Sequence, residues 1–166
     1  MIDPKEFLSF IKSRRSIRSF ENRIIPDDQI KMILEAGQWA PSASNRQPWE
    51  FLVIKNREII EKVAKIAFYG RFIKQAPSLI VLVGKTKISP KWYIIDTSLV
   101  SMNMMLMAWS LGIGTCWIGA LDRDKAKEVL ELKRDDYVLT ILPFGYIKGE
   151  IPTRDRKPLR EIVKEK

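Results

Sequence analysis

Apolar residues recur along the chain in two periods, and the switches between them mark its elements. Phe7, Leu8 and Ile11 are spaced for one face of a helix opening at Asp3-Pro4, with proline at the first helical position behind an aspartate cap. Residues 17–20 read as extended. Pro26-Asp27-Asp28 opens a second helix with acids in its first turn, and Ile30, Ile33 and Leu34 share one face before Pro41 ends it. A polar loop covers 42–48. The continuous apolar run Phe51-Leu52-Val53-Ile54 has the pattern of a buried strand, and Asn56 then caps a helix reaching about Ala67. Ser78 to Gly84 is a second buried strand, a long helix covers about Trp92 to Leu111, and Gly114 to Ile118 is a further strand. Asp122 caps a short helix to Leu132, Tyr137 to Tyr146 is the last strand, and the tail from Lys148 is basic and broken by proline.

Helices alternating with a few strands predict one sheet covered on both faces, of the α/β or α+β class. No repeat, low-complexity tract or long linker interrupts residues 1–166, so one domain is expected. The uncharged stretch from Thr97 to Leu121 is long enough to span a bilayer. Ser98, Ser101, Asn103, Ser110 and the break at Gly112-Ile113-Gly114 favour a buried helix followed by a buried strand instead. Met1 to Phe10 carries acids and no apolar run, unlike a secretory leader, so the reading is cytoplasmic with no membrane partner.

Composition narrows the chemistry. The 166 residues include no histidine, which removes Ser–His–Asp and Cys–His catalysis, His-ligated zinc and imidazole acid–base chemistry. The single cysteine, Cys116, excludes an internal disulfide and a Cys-only zinc site; within an apolar strand it reads as a small buried group with no base to activate it. What remains is chemistry by carboxylates, by Lys or Arg, or by a bound organic cofactor. Lys and Arg number 29 against 20 Asp and Glu, a net +9 that favours anionic partners. Most lysines sit beside acids, as in Asp124-Lys125-Ala126-Lys127-Glu128, and read as solvated faces. A nucleic-acid module, the alternative from another class, would need a basic face studded with aromatics. Trp39, Trp49, Trp109 and Trp117 fall instead in apolar runs or as loop anchors, so no nucleic-acid partner is expected.

Four segments concentrate candidate chemistry. Arg14-Arg15-Ser16-Ile17-Arg18 lies where a helix gives way to extended chain, placing guanidinium forks and a hydroxyl where they suit a phosphate. Ala40-Pro41-Ser42-Ala43-Ser44-Asn45-Arg46-Gln47-Pro48-Trp49 is a loop held by prolines, whose side-chain amides suit the mixed donor–acceptor edge of a heterocycle. In Gly112-Ile113-Gly114-Thr115-Cys116-Trp117-Ile118-Gly119-Ala120 the first glycines resemble a dinucleotide fingerprint, but helix precedes them and strand follows, which is the wrong order. Gly119 and Ala120, at the strand's end, would let backbone amides approach a flat ligand. Pro152-Thr153-Arg154-Asp155-Arg156-Lys157-Pro158 is a second arginine cluster, and the two clusters could clamp one phosphate.

Together these motifs resemble, in order, those of the nitroreductase family of FMN-dependent oxidoreductases, and the likeness spans nearly the whole chain. The resemblance implies an α+β fold with a central, mostly antiparallel sheet flanked by helices, and a homodimer with FMN at its interface. It implies hydride transfer from NAD(P)H through flavin N5 to a nitroaromatic, quinone or similar small-molecule acceptor by a ping-pong mechanism, with no catalytic side chain and no metal. Arg14, Ser16 and Arg156 match positions holding the FMN phosphate, with Arg154 beside them, and Arg15 matches one whose backbone follows the ribityl phosphate. Arg18 matches a basic position near the N1–C2=O edge, where a cation stabilises the anionic reduced flavin. Asn45 would meet the pyrimidine edge within a loop shaped by Pro41, Ser42 and Gln47, and the Gly119 and Ala120 amides would approach N5 and O4. Many family members carry Glu-Gly at that turn, so Gly119 departs from the pattern. The chain is short for the family, implying a reduced or absent substrate lid; flavin fragmentation and reductive dehalogenation are the alternative reactions on this scaffold. The helix from Leu99 to Leu111 is apolar on nearly every side, as an interface helix would be.

Overall fold

The computed structural model describes residues 2–151 and 153–166. Met1 and Pro152, which begin the N-terminal segment and the second arginine cluster above, lie outside the described residues. The sheet has four strands in the order β1 (Trp49–Ile54), β2 (Ser78–Lys85), β4 (Asp136–Tyr146), β3 (Ile113–Thr115), with every neighbouring pair antiparallel. This selects α+β over α/β. Central β2 is buried along nearly its whole length, and its alternating side chains divide the core. Leu79, Val81 and Val83 join a cluster with Ile60, Val63 and Ala64 of α3 (Arg57–Ile66) and Ala126 of α5 (Arg123–Val129). Ile80 and Leu82 point the other way, toward Ile30 and Ile33 of α2 (Asp27–Gln38) and Val100, Met104 and Ala108 of α4 (Tyr93–Ser110).

The helix starts follow their caps. Asp3 accepts from the Lys5 N–H at the head of α1 (Pro4–Ser13), Asn56 from Glu58 and Ile59 N–H, and Asp122 from Lys125 N–H. Several boundaries move. The α2 helix stops at Gln38 rather than at Pro41, and Trp39 beyond it is 80% exposed, not an apolar anchor. β1 is an edge strand, with Phe51 and Leu52 half-buried and Val53 exposed, so its apolar run does not mark full burial. β3 ends at Thr115, and Ile118 returns to the sheet through paired backbone bonds with Ile141 and the Thr140 hydroxyl.

No helix among the described residues is long and apolar enough to cross a membrane. The α4 helix buries Val100, Met104, Met105 and Ala108 but leaves Ile95, Leu99 and Met102 outward, so within one chain its apolar girdle is covered on one side only. The α1 helix has no buried residue, and its Phe7, Leu8 and Ile11 also face outward. Trp109 Nε1 donates to Ser13 Oγ at 2.7 Å and ties the end of α1 to α4. A short exposed helix, α6 (Leu159–Ile162), lies in the tail.

Candidate functional site

At Arg14 the chain leaves α1 in an extended conformation and runs alongside β3, with Ile17 N–H donating to Thr115 O at 2.8 Å. That pairing fixes Ser16 and Arg18 beside the end of β3. Arg154 and Arg156 of the tail reach the same place. Arg14, Arg15, Ser16, Arg18, Arg154 and Arg156 line one cavity of about 160 Å³. The Arg15 guanidinium turns back onto the carbonyls of Lys12 and Arg14. Arg14 is placed differently: its Nη1 is buried and donates to nothing among the described residues. Burial holds this guanidinium below its ordinary pKa, and the charges of Arg156 and Arg15 lower it further. An orphaned cationic donor among like charges is relieved by an anion with several acceptor oxygens. The cavity's donor set fits a phosphate, and hence the phosphate end of FMN.

A second cavity, of about 260 Å³, adjoins through Arg18, which lines both. Its walls include Tyr69, Phe72, Cys116, Trp117, Gly119 and Ala120. The Gly119 and Ala120 carbonyls are engaged by Arg123 and by the Phe68 N–H, while their own N–H groups donate to no other group among the described residues. Cys116 is buried, and desolvation pushes its thiol pKa up more than Arg18, Ser16 and Arg14 pull it down. It stays a protonated wall residue. Tyr69 and Phe72 lie outside the four motif segments of the sequence; the aromatic pair Phe68-Tyr69 after a helix is the signal there, and that pair is exposed while Phe72 is half-buried.

The loop expected to complete the site lies elsewhere. Pro41, Ser42, Asn45 and Gln47 line neither cavity. The loop is a closed unit: Gln47 N–H donates to Ser42 Oγ at 3.0 Å, and Gln47 Nε2 donates to Asn45 Oδ1 at 3.2 Å. Gln47 instead borders a groove between α2 and β1 with Lys31, Glu35 and Trp49. Thus the chain brings eight of the expected site residues to two adjoining cavities and leaves the other four apart.

The Nitroreductase family model matches residues 11–70 and 67–146. The chain belongs to the nitroreductase family. Among its relatives, a Methanothermobacter thermautotrophicus protein provisionally named NADH dehydrogenase/NAD(P)H nitroreductase is 33% identical over 160 residues, covering 93% of this chain and 84% of that protein. The Hydra vulgaris iodotyrosine deiodinase is 25% identical over 195 residues, covering 95% of this chain and 72% of the deiodinase. The solved structure of an FMN-dependent nitroreductase from Clostridium difficile R20291 superposes with a TM-score of 0.82 at 28% identity, covering 89% of this chain and 91% of that one. Membership in the nitroreductase family places the chain among oxidoreductases.

Proposed function

We propose that residues 1–166 form one FMN-binding domain of an NAD(P)H-dependent oxidoreductase, active as a homodimer. The observation that carries this reading is a cavity lined by five arginines and Ser16, one of them Arg14, whose Nη1 is buried with no partner among the described residues. Arg14, Ser16 and Arg156 bind the phosphate, with Arg154 reinforcing them and Arg15 holding the backbone at the end of α1. Arg18, at the junction of the two cavities, sets a cation beside the ring, and the free N–H groups of Gly119 and Ala120 meet its opposite edge. When bound, FMN supplies hydride transfer at N5 between NAD(P)H and a nitroaromatic, quinone or similar acceptor in a ping-pong cycle. Tyr69, Phe72 and Trp117 give the second cavity flat apolar walls for such an acceptor. Dimerisation is supported by the outward apolar faces of α1 and α4, and it would bring the Pro41–Gln47 loop of a second copy to the flavin. Dependence on NAD(P)H goes with a cytoplasmic location.

Purified protein should carry an absorbance band in the blue that acid precipitation releases as free FMN. NAD(P)H should bleach it without oxygen, and a quinone or nitroaromatic should restore it. A colourless protein that cannot be reconstituted with FMN overturns the reading.

The likeness to a deiodinase favours a second reaction on the same site, reductive dehalogenation of an aromatic halide. Against it, that alignment is 195 residues long while this chain has 166, so the deiodinase carries segments this chain lacks. Halide release from a halophenol under reducing conditions, compared with the rate of nitro reduction, separates the two.

A further inference from the structure

The loop from Ser42 to Gln47 holds an improbable shape. Ser44, Asn45 and Gln47 have positive φ values of 53°, 53° and 49°, a region that residues bearing a Cβ rarely adopt. Such a conformation persists only where surrounding contacts over-determine it. Most of the loop's hydrogen bonds are internal. Among the described residues a single one reaches from residues 42–47 to a distant element: Ala43 N–H donates to Asp96 Oδ1 at 3.2 Å.

Asp96 is an unusual anchor. It lies in the first turn of α4, only 3% exposed, immediately before the uncharged stretch that builds the rest of that helix. Among the described residues its Oδ2 has no partner, and the hydroxyls of Thr97, the next residue, and of Ser89, ahead of the helix, are also buried without one. Burying a carboxyl group with one oxygen unsatisfied is unfavourable. An apolar side chain at this buried position would carry no such penalty. Among the described residues the one hydrogen bond of the Asp96 side chain goes to the loop that carries Asn45.

We propose that Asp96 is a positioning residue for the flavin: by accepting the Ala43 N–H it holds the 42–47 loop in the shape that presents the Asn45 amide to the pyrimidine edge. The proposal rests on the flavin reading above. Ala43 allows the donor to be removed on its own. It starts a short helical turn behind an extended Ser42 (φ −143°, ψ 156°), the conformation that a following proline demands, so Ala43→Pro deletes the N–H without opposing the backbone.

The experiment titrates apoprotein with FMN by fluorescence, and records the absorbance maximum of bound flavin, for wild type and for Asp96→Ala, Asp96→Asn and Ala43→Pro. Asp96→Ala should bind FMN about tenfold more weakly, as expected for a lost hydrogen bond with its donor left unsatisfied, and should shift the flavin maximum. Asp96→Asn keeps an acceptor at the same place and should recover affinity to within about threefold, with the wild-type spectrum; Ala43→Pro should reproduce Asp96→Ala. In an Asn45→Ala background the Asp96→Ala loss should shrink below about threefold, because the loop's contact with the ring is already gone. If Asp96→Ala fails to fold, Ala43→Pro decides, since it leaves Asp96 in place. Undiminished affinity in the variants, equal weakening by Asp96→Asn and Asp96→Ala, or a full loss retained in the Asn45→Ala background overturns the proposal while the flavin reading stands. A wild-type chain that binds no FMN overturns both.

Discussion

A Cβ placed on Gly114 would stand 2.7 Å from the Cβ of Ile17, a separation that real side chains do not adopt. The pair Gly112 and Gly114, which imitates half of a dinucleotide fingerprint, therefore has two unrelated causes. Gly112 takes a positive φ of 72° where the chain turns out of α4, and Gly114 makes room for the segment leaving α1. Ser16 and Arg18 flank Ile17, so this contact also sets where the cavity's donors lie.

Gly114→Ala should accordingly destabilise the protein by about 1–3 kcal/mol, the usual effect of overpacking. It should also weaken FMN binding by displacing Ser16 and Arg18. Urea midpoints of Gly114→Ala, Ile17→Ala and the double variant check this: Ile17→Ala removes the Cγ1 and Cγ2 that the new methyl would meet, so a favourable coupling between the two substitutions is expected, and simple additivity would place the contact elsewhere.

Replacing Arg14 should have opposite effects on the two states of the protein. Arg14→Met removes a half-buried cation, whose Nη1 has no partner among the described residues, from among like charges, so apoprotein should be at least as stable as wild type. FMN affinity should fall by about 1.5–3 kcal/mol, the range for hydrogen bonds to charged groups. Inorganic phosphate should raise the melting temperature of wild-type apoprotein by mass action and do so much less in Arg14→Met. Calorimetry with and without phosphate checks both signs.

Assembly should be inseparable from stability. Leu99 is 42% exposed on the outward face of α4, beside Ile95 and Met102. Light scattering should give about twice 19.3 kDa for wild type, and the melting temperature should rise with protein concentration. Leu99→Lys should shift the species toward one copy and lose flavin at the same time. A folded monomer that retains FMN would break the link between the interface and the site.

Cys116 gives a pH signature. Its thiol titrates above the ordinary value of 9.0 in the folded chain because burial disfavours the thiolate. Above pH 9 the unfolded chain ionises this group and the folded chain does not. Stability then falls as pH rises from 9 toward the raised folded value, by at most about 1.4 kcal/mol per pH unit for one proton. Cys116→Ala should lack this loss. The difference between the two stability–pH curves isolates it from the lysines and tyrosines, and thiol labelling of native protein below pH 9 should be slow.

How far the sequence alone reaches depends on the range of the interaction. The caps at Asp3, Asn56 and Asp122 are satisfied within a few residues of themselves, so those helices start where the sequence indicates. The full burial of β2 is written in its run of five consecutive apolar residues from Leu79 to Val83. Two arginine clusters and the Gly119-Ala120 pair are legible because phosphate and flat-ligand chemistry call for those residue types wherever they lie. Strand position is not local: Phe51-Leu52-Val53-Ile54 reads like a central strand, yet only the order β1-β2-β4-β3 makes it an edge and leaves Val53 outward. Trp39 looks like an anchor until the last turn of α2 points it into solvent. Convergence is also tertiary. Arg14 and Arg156 share a cavity because the tail returns past the end of α1, while Asn45 and Gln47, as polar as any site residue, are carried away from that cavity on a loop tethered to Asp96. A sequence records which side chains can bind and which backbone can turn. Which of them meet is settled by long-range packing, where each contact joins residues that share no local pattern.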